Sequence, residues 1–203
     1  MTNRERFLKT LKCEPIGGQV PTFELVFFLT MEAFGKVHPH QRSYSQWKQM
    51  SPRERELQIN DMADLYIETA RRYGHSAILL HPNPYNVEDT QRLLEAVRGK
   101  TGQEYCLLID RDPTWAIPDG ESMMEFSAKM YEAPEELNEI SERRMESMLE
   151  YAYKLDSWGH LLDGFTLCSD YCFNTNPFFS PEKFDELIAP YLKAVLSEYR
   201  RLG

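Results

Sequence analysis

Cysteine is scarce and unpatterned in this chain: Cys13, Cys106, Cys168 and Cys172 are the only four, and their spacings form no framework. That excludes a disulfide-stapled scaffold and makes a reducing cytoplasm the expected setting. Positive charge is also in short supply. Lys and Arg total 23 against 32 Asp and Glu, a net charge of −9. Nucleic-acid binding needs clustered cations that displace counterions, so that class is excluded, and an anionic membrane surface is excluded on the same ground. No run is long and apolar enough to span a bilayer. The opening Met1-Thr2-Asn3-Arg4-Glu5-Arg6 lacks the apolar segment of a signal peptide. Internal repeats, low-complexity tracts, interdomain linkers, a glycine-rich phosphate loop, a nucleophile elbow and a nucleotide fingerprint are all missing.

What is present is an alternation. With 203 residues, 42% of them hydrophobic and 27% charged, the chain can bury the core of a single soluble domain spanning residues 1–203. Thr2 and Glu5 predict a capping box for a first helix carrying Phe7, Leu8 and Leu11. Gly17-Gly18 turns the chain into a strand near Val20–Phe23, and Ser51-Pro52-Arg53-Glu54 caps a second helix stopped by Gly74. The spacing then predicts a strand at Ser76–Leu80, a helix at Val87–Val97 stopped by Gly99, and a strand at Tyr105–Ile109. A long helix from Pro134 to Leu155, a strand at Phe165–Leu167 and a helix opened by Ser180-Pro181 complete the series. Short apolar strands alternating with amphipathic helices indicate an α/β fold with a parallel sheet and crossover helices. Cys106 and Cys168 fall inside strand runs, where free cysteine is expected to pack as a small hydrophobe.

In such folds, chemistry is usually done by polar residues just past the C-terminal ends of strands. Asp170 and Tyr171 follow the Phe165 strand. A carboxylate there can hold a cation, orient a hydroxyl or move a proton, or it can simply cap nearby backbone N–H groups. Asp110 and Asp112 follow the Tyr105 strand. Asp112 precedes Pro113 and is a turn signal, so Asp110 is the preferred pocket residue. Glu24 follows the first strand. His81, in the closing segment His81-Pro82-Asn83-Pro84, offers an imidazole base, with Asn83 beside it as a binding residue. Trp115, Phe173 and Tyr85 are candidates to wall an apolar pocket, or ordinary packing residues. His38-Pro39-His40 sits in a polar loop, so no metal site is expected from this chain alone.

The stretch from His160 to Leu192 adds a resemblance. Gly164-Phe165-Thr166-Leu167-Cys168-Ser169-Asp170-Tyr171, then Phe178-Phe179-Ser180-Pro181-Glu182, then Pro190-Tyr191-Leu192, resembles the uroporphyrinogen decarboxylase superfamily. The opening Thr2–Leu8 helix, the connector to Cys13-Glu14-Pro15 and Val20-Pro21 are similar to how its members begin. The resemblance implies a (β/α)8 barrel. A closed barrel needs roughly 250 residues, so this chain is expected to supply its N-terminal half: about four parallel strand–helix units after an N-terminal helix. Exposed barrel edges would then favour self-association.

Within that family the decarboxylases end the second strand in Ser-Asp and carry an arginine-rich segment after the first. Here the corresponding positions read His81-Pro82 and Glu24-Leu25-Val26-Phe27. A substrate bearing many carboxylates needs forked cationic donors, so uroporphyrinogen itself is not the expected substrate. The resemblance therefore implies the corrinoid-dependent methyltransferase branch. A methyl group would pass between a corrinoid protein and a small-molecule substrate, with zinc ligands belonging to the other half of the barrel. Asp170, Asp110 and His81 would act on the substrate, and Glu24, Tyr171, Trp115 and Asn83 would bind it. The alternatives are a decarboxylase of a porphyrinogen-like or smaller substrate and a non-catalytic homologue acting in assembly.

Overall fold

A computed structural model describes residues 1–25, 30–81 and 83–203. The chain packs as two compact units, Met1–Asp110 with Leu155–Gly164, and Arg111–Lys154 with Phe165–Gly203. Among the described residues the strands are β1 (Ala77–Leu80), β2 (Cys106–Asp110) and β3 (Gly164–Thr166), in sheet order β1-β2-β3. β1 and β2 run parallel, with Ala77 opposite Cys106 and Leu80 opposite Ile109. The α/β reading with a parallel sheet alternating with helices therefore holds.

The first unit begins with α1 (Asn3–Leu11), whose N-terminus carries the expected capping box: Thr2 accepts from the Glu5 N–H and Glu5 accepts in return. Phe7 from α1 meets Phe23 edge to face at 5.8 Å and packs on Ala77, Leu79, Cys106 and Leu108. Period-two alternation puts those four residues on one face of the sheet. A five-residue helix α2 (Thr30–Phe34) precedes the long α3 (Pro52–Tyr73), which shows the second expected capping box at Ser51 and Glu54. Gly74 stops α3 at φ +66°, a left-handed position that glycine adopts without strain.

Three expectations need correction here. Val20–Phe23 is not a strand. Ser76 N–H donates to Thr22 C=O at 2.8 Å, but Pro21 has no N–H to give and Val20 is 70% exposed, so no ladder is built. The described sheet thus has three strands rather than about four. Second, α4 (Val87–Thr101) runs through Gly99 and ends at Gly102, because an internal glycine costs a helix only about 1 kcal/mol. Third, Cys106 is buried as expected but Cys168 is exposed, since β3 ends at Thr166 and leaves it beyond the strand.

A buried charge cluster ties the first unit together. Asp163, just before β3, accepts from Arg4 Nε at 2.8 Å, from Arg98 Nη2 and from the Leu107 backbone N–H at 2.8 Å. Arg98 also donates to the carbonyls of Leu161, Gly102 and Tyr105. Burial, and next the Asp163 charge, push the Cys106 thiol up to about 12, so it is an inert packing group.

In the second unit, α5 (Gly120–Glu132) occupies a stretch for which the sequence predicted no element. Its buried residues are only Phe126 and Met130, too few to make a clear period. The helix α6 (Pro134–Ser157) follows, as expected to within two residues. The last helix is broken into α7 (Pro181–Leu187) and α8 (Ala189–Leu202) at Ile188, whose φ of −119° departs from helix geometry. Pro190, in the first turn of α8, cannot donate its share of the helical bonds. Phe126, Met130, Leu137, Phe179, Leu187 and Ile188 form the unit's core.

Candidate functional site

The candidate residues divide between the units. Glu24, His81, Asn83 and Asp110 lie in the first, and Trp115, Asp170 and Tyr171 in the second.

In the first unit the register of the parallel pair fixes the arrangement. Leu80 faces Ile109, so His81 and Asp110 leave β1 and β2 at corresponding positions on the C-terminal edge of the sheet. Around His81 gathers an imidazole cluster. Its ring lies 4.9 Å from that of His40 and 5.6 Å from that of His38, and His38 meets Tyr66 edge to face at 5.3 Å. His81 Nε2 stands 3.0 Å from the Leu25 carbonyl, which can only accept, so Nε2 carries the proton and Nδ1 the lone pair. The His81 backbone N–H donates to the Tyr66 hydroxyl at 3.1 Å. Burial, then the neighbouring His40, hold His81 below the ordinary histidine range; His38, 2% exposed, is lowered to about 3 by burial and the other two imidazoles. These are neutral bases at the end of β1. Tyr66 is pushed up from the ordinary phenol range by its burial.

Asn83 is placed as a clamp. Its amide nitrogen donates to the carbonyls of Pro39 (2.8 Å), Arg42 (2.9 Å) and His40 (3.2 Å), holding the histidine loop against the end of β1. Arg42 is in turn paired with Asp61 at 2.5 Å. Glu24 is half-buried and lines a narrow cleft with Tyr66, His75 and Ala77. The sequence set the His38-Pro39-His40 loop aside as solvated, because its convergence on His81 depends on contacts across some forty residues.

Among the described residues no three His, Cys, Asp or Glu converge in a way that could hold a metal ion. The imidazole cluster illustrates why. His38 Nδ1 accepts from the His40 N–H at 3.2 Å, and His81 Nε2 faces a carbonyl, so those two nitrogens are already engaged by the backbone.

In the second unit Asp170 is exposed, and its Oδ1 accepts from the Cys172 N–H at 3.1 Å, two residues on. That is the local cap that a loop aspartate makes. Phe173 and Tyr85, the other aromatic candidates, are exposed. Tyr171, by contrast, enters a network the sequence did not assemble. Thr114 Oγ1 donates to Asp112 Oδ1 at 2.6 Å, so at the 2.5 Å contact between the two hydroxyls Tyr171 is the donor. Asp112 Oδ1 also accepts from the Thr114 N–H at 2.8 Å, while Oδ2 is buried without a hydrogen-bond partner among the described residues. The result is a directed chain, phenol to threonine to carboxylate. Burial raises the Tyr171 phenol. Asp112 is thus both the turn former that Pro113 announced and the end of a hydrogen-bond relay.

Trp115 lines a cavity of about 660 Å³ together with Thr114, Ile117, Phe126, Lys129, Ile140 and Arg144. Its indole N–H donates to the buried Ser141 hydroxyl at 2.8 Å, and the Arg144 guanidinium lies 4.0 Å over its ring. Arg144 had one legible signal: it occupies a slot on the apolar stripe of α6 that carries Leu137, Ile140 and Met148.

Among the described residues no helix is long and apolar enough to cross a membrane. No protein-family model matches this chain, and no curated protein matches it.

Proposed function

We propose that this chain is part of a small-molecule-binding barrel of the uroporphyrinogen decarboxylase type, on the branch that moves a methyl group between a corrinoid protein and a small substrate in the cytoplasm. The observation that carries the reading is the edge of the parallel sheet where His81 and Asp110 leave β1 and β2 side by side. Ligands of parallel α/β sheets bind outside the carboxyl ends of strands. A neutral, half-buried imidazole stands there, one position before Pro82, which takes the place of the aspartate that the decarboxylases resembled by this sequence carry. A neutral base can take a proton from an acceptor thiol, amine or hydroxyl as it becomes nucleophilic. Asp110, half-buried at the end of β2, would orient the same group. No residue of this chain is given to zinc, because the resemblance implies ligands in the other half of the barrel.

The test is co-sedimentation of the full chain with a methylcobalamin-loaded corrinoid protein, followed by the cofactor's visible absorbance. Joint sedimentation, weakened by His81→Ala, is the expected result. Absence of a complex would sink the methyl-transfer reading. Release of carbon dioxide from a carboxylated substrate without any corrinoid would assign the chain to decarboxylation instead.

A further inference from the structure

We infer that the cavity beside Trp115 is a binding site for a monocarboxylic acid with a planar or aromatic body. The inference stands apart from the methyl-transfer reading, because it needs only side chains of the second unit and no assumption about the reaction.

The shelf is fixed first. Trp115 is held along one edge by the Nε1–H bond to Ser141, which is 0% exposed, and it meets Phe126 at 5.0 Å with the rings tilted by 55°. Neither contact leaves the indole free to turn. The guanidinium carbon of Arg144 sits over that ring, 4.0 Å from its centroid. Stacking occupies the face of a guanidinium and leaves its in-plane N–H donors directed outward, which is the geometry that grips a carboxylate with two parallel bonds.

The charges around the cavity then identify the ligand. Lys129 is paired with Glu136 at 3.0 Å. Among the described residues no carboxylate lies within ion-pair distance of Arg144, although α6 is rich in glutamate. The cation held on the shelf is therefore the one whose donors are open to a ligand. Asp119 and Glu125 also line the cavity. Two carboxylates beside one open cation tolerate a single negative charge and oppose a dianion, which favours a carboxylic acid over a phosphate ester. Phe126, Leu137, Ile140, Ile117 and Pro118 supply the apolar wall for the body of the ligand. The volume, about 660 Å³, lies in the range that takes small organic ligands.

The experiment uses the full chain and three probes of one shape: benzoate, benzamide and phenyl phosphate. Binding is followed by calorimetry and by the Nε–Hε resonance of Arg144 in a nitrogen–proton correlation spectrum. Benzoate is expected to shift that resonance and to bind roughly tenfold or more tighter than benzamide, as a charge-assisted forked contact implies. Arg144→Gln, at an exposed helix position, is expected to lose roughly tenfold or more of the benzoate affinity, and Arg144→Lys to fall between, because lysine keeps the charge without the fork. Equal affinities for benzoate and benzamide would overturn the inference, as would an unchanged affinity in Arg144→Gln. Tighter binding of phenyl phosphate than of benzoate would overturn the carboxylate assignment. The benzoate–benzamide comparison needs no variant, so a folding defect in the substituted protein does not remove the test.

Discussion

Asp163→Asn is the sharpest perturbation of the first unit. The Asp163 carboxylate is 5% exposed and is held by Arg98, 8% exposed, and by Arg4, 32% exposed. Asparagine preserves the shape and one acceptor oxygen, but leaves the Arg98 charge buried without its counter-charge. Removing one member of a buried pair costs about 3–5 kcal/mol. Arg98 keeps its bonds to the carbonyls of Leu161 (2.9 Å) and Tyr105 (2.9 Å), and a longer one to Gly102, which places the loss at the lower end, about 3 kcal/mol. For a chain of this size that corresponds to a drop in Tm of about 6–12 °C. The local readout is hydrogen exchange at Leu107, whose N–H donates to Asp163 at 2.8 Å. Its protection should fall by about a hundredfold if the loss is about 3 kcal/mol. Arg4→Ala, at the wetter end of the cluster, should cost only about 1 kcal/mol. An Asp163→Asn variant destabilised by less than about 1 kcal/mol, or one with unchanged exchange at Leu107, would refute the reasoning.

Two further outcomes are expected. His38 has a folded-state value of about 3 against 6.5 when unfolded, so the unfolded chain takes up the proton first. The stability is then fully present above pH 6.5 and is lost as pH falls below it, by up to about 1.4 kcal/mol per pH unit for this one group. Urea midpoints measured between about pH 7.5 and 5.5 should fall for the native chain, and His38→Gln should flatten the profile; a native profile that is already flat would show that His38 is protonated in the folded state. Thr114→Val breaks the path from Tyr171 to Asp112 and should cost about 1–2 kcal/mol. A Thr114→Val variant as stable in urea as the native chain would show that the hydroxyl contact does not form in solution.

Much of the frame was readable from the sequence because it rests on local rules. The Thr2–Glu5 and Ser51–Glu54 capping boxes, the stop at Gly74 and the Ser180-Pro181 helix start all involve residues within one helical turn of each other. The three short apolar runs that became β1, β2 and β3 were visible for the same reason. Expectations failed where a local signal was outvoted by its surroundings. Gly99 read as a stop but is carried inside α4, and Val20–Phe23 read as a strand but makes one described backbone bond to its neighbour. Among the candidate residues, sequence position named His81, Asp110, Trp115 and Tyr171. It could not show that Asn83 donates to three carbonyls of the histidine loop or that Asp170 caps its own turn.

The sequence by itself determined the class of this protein: acidic, α/β, with polar residues waiting at the ends of short apolar strands. Only the tertiary structure decided which of those residues meet. His38 and His40 reach His81, Thr114 joins Tyr171 to Asp112, and Arg144 lies on Trp115, each a meeting of residues far apart in the chain. Capping and periodicity act over a few residues and leave a mark in the sequence. Burial, imidazole packing and the orientation of a stacked guanidinium depend on partners brought together by the fold, and no neighbouring letter in the chain records them.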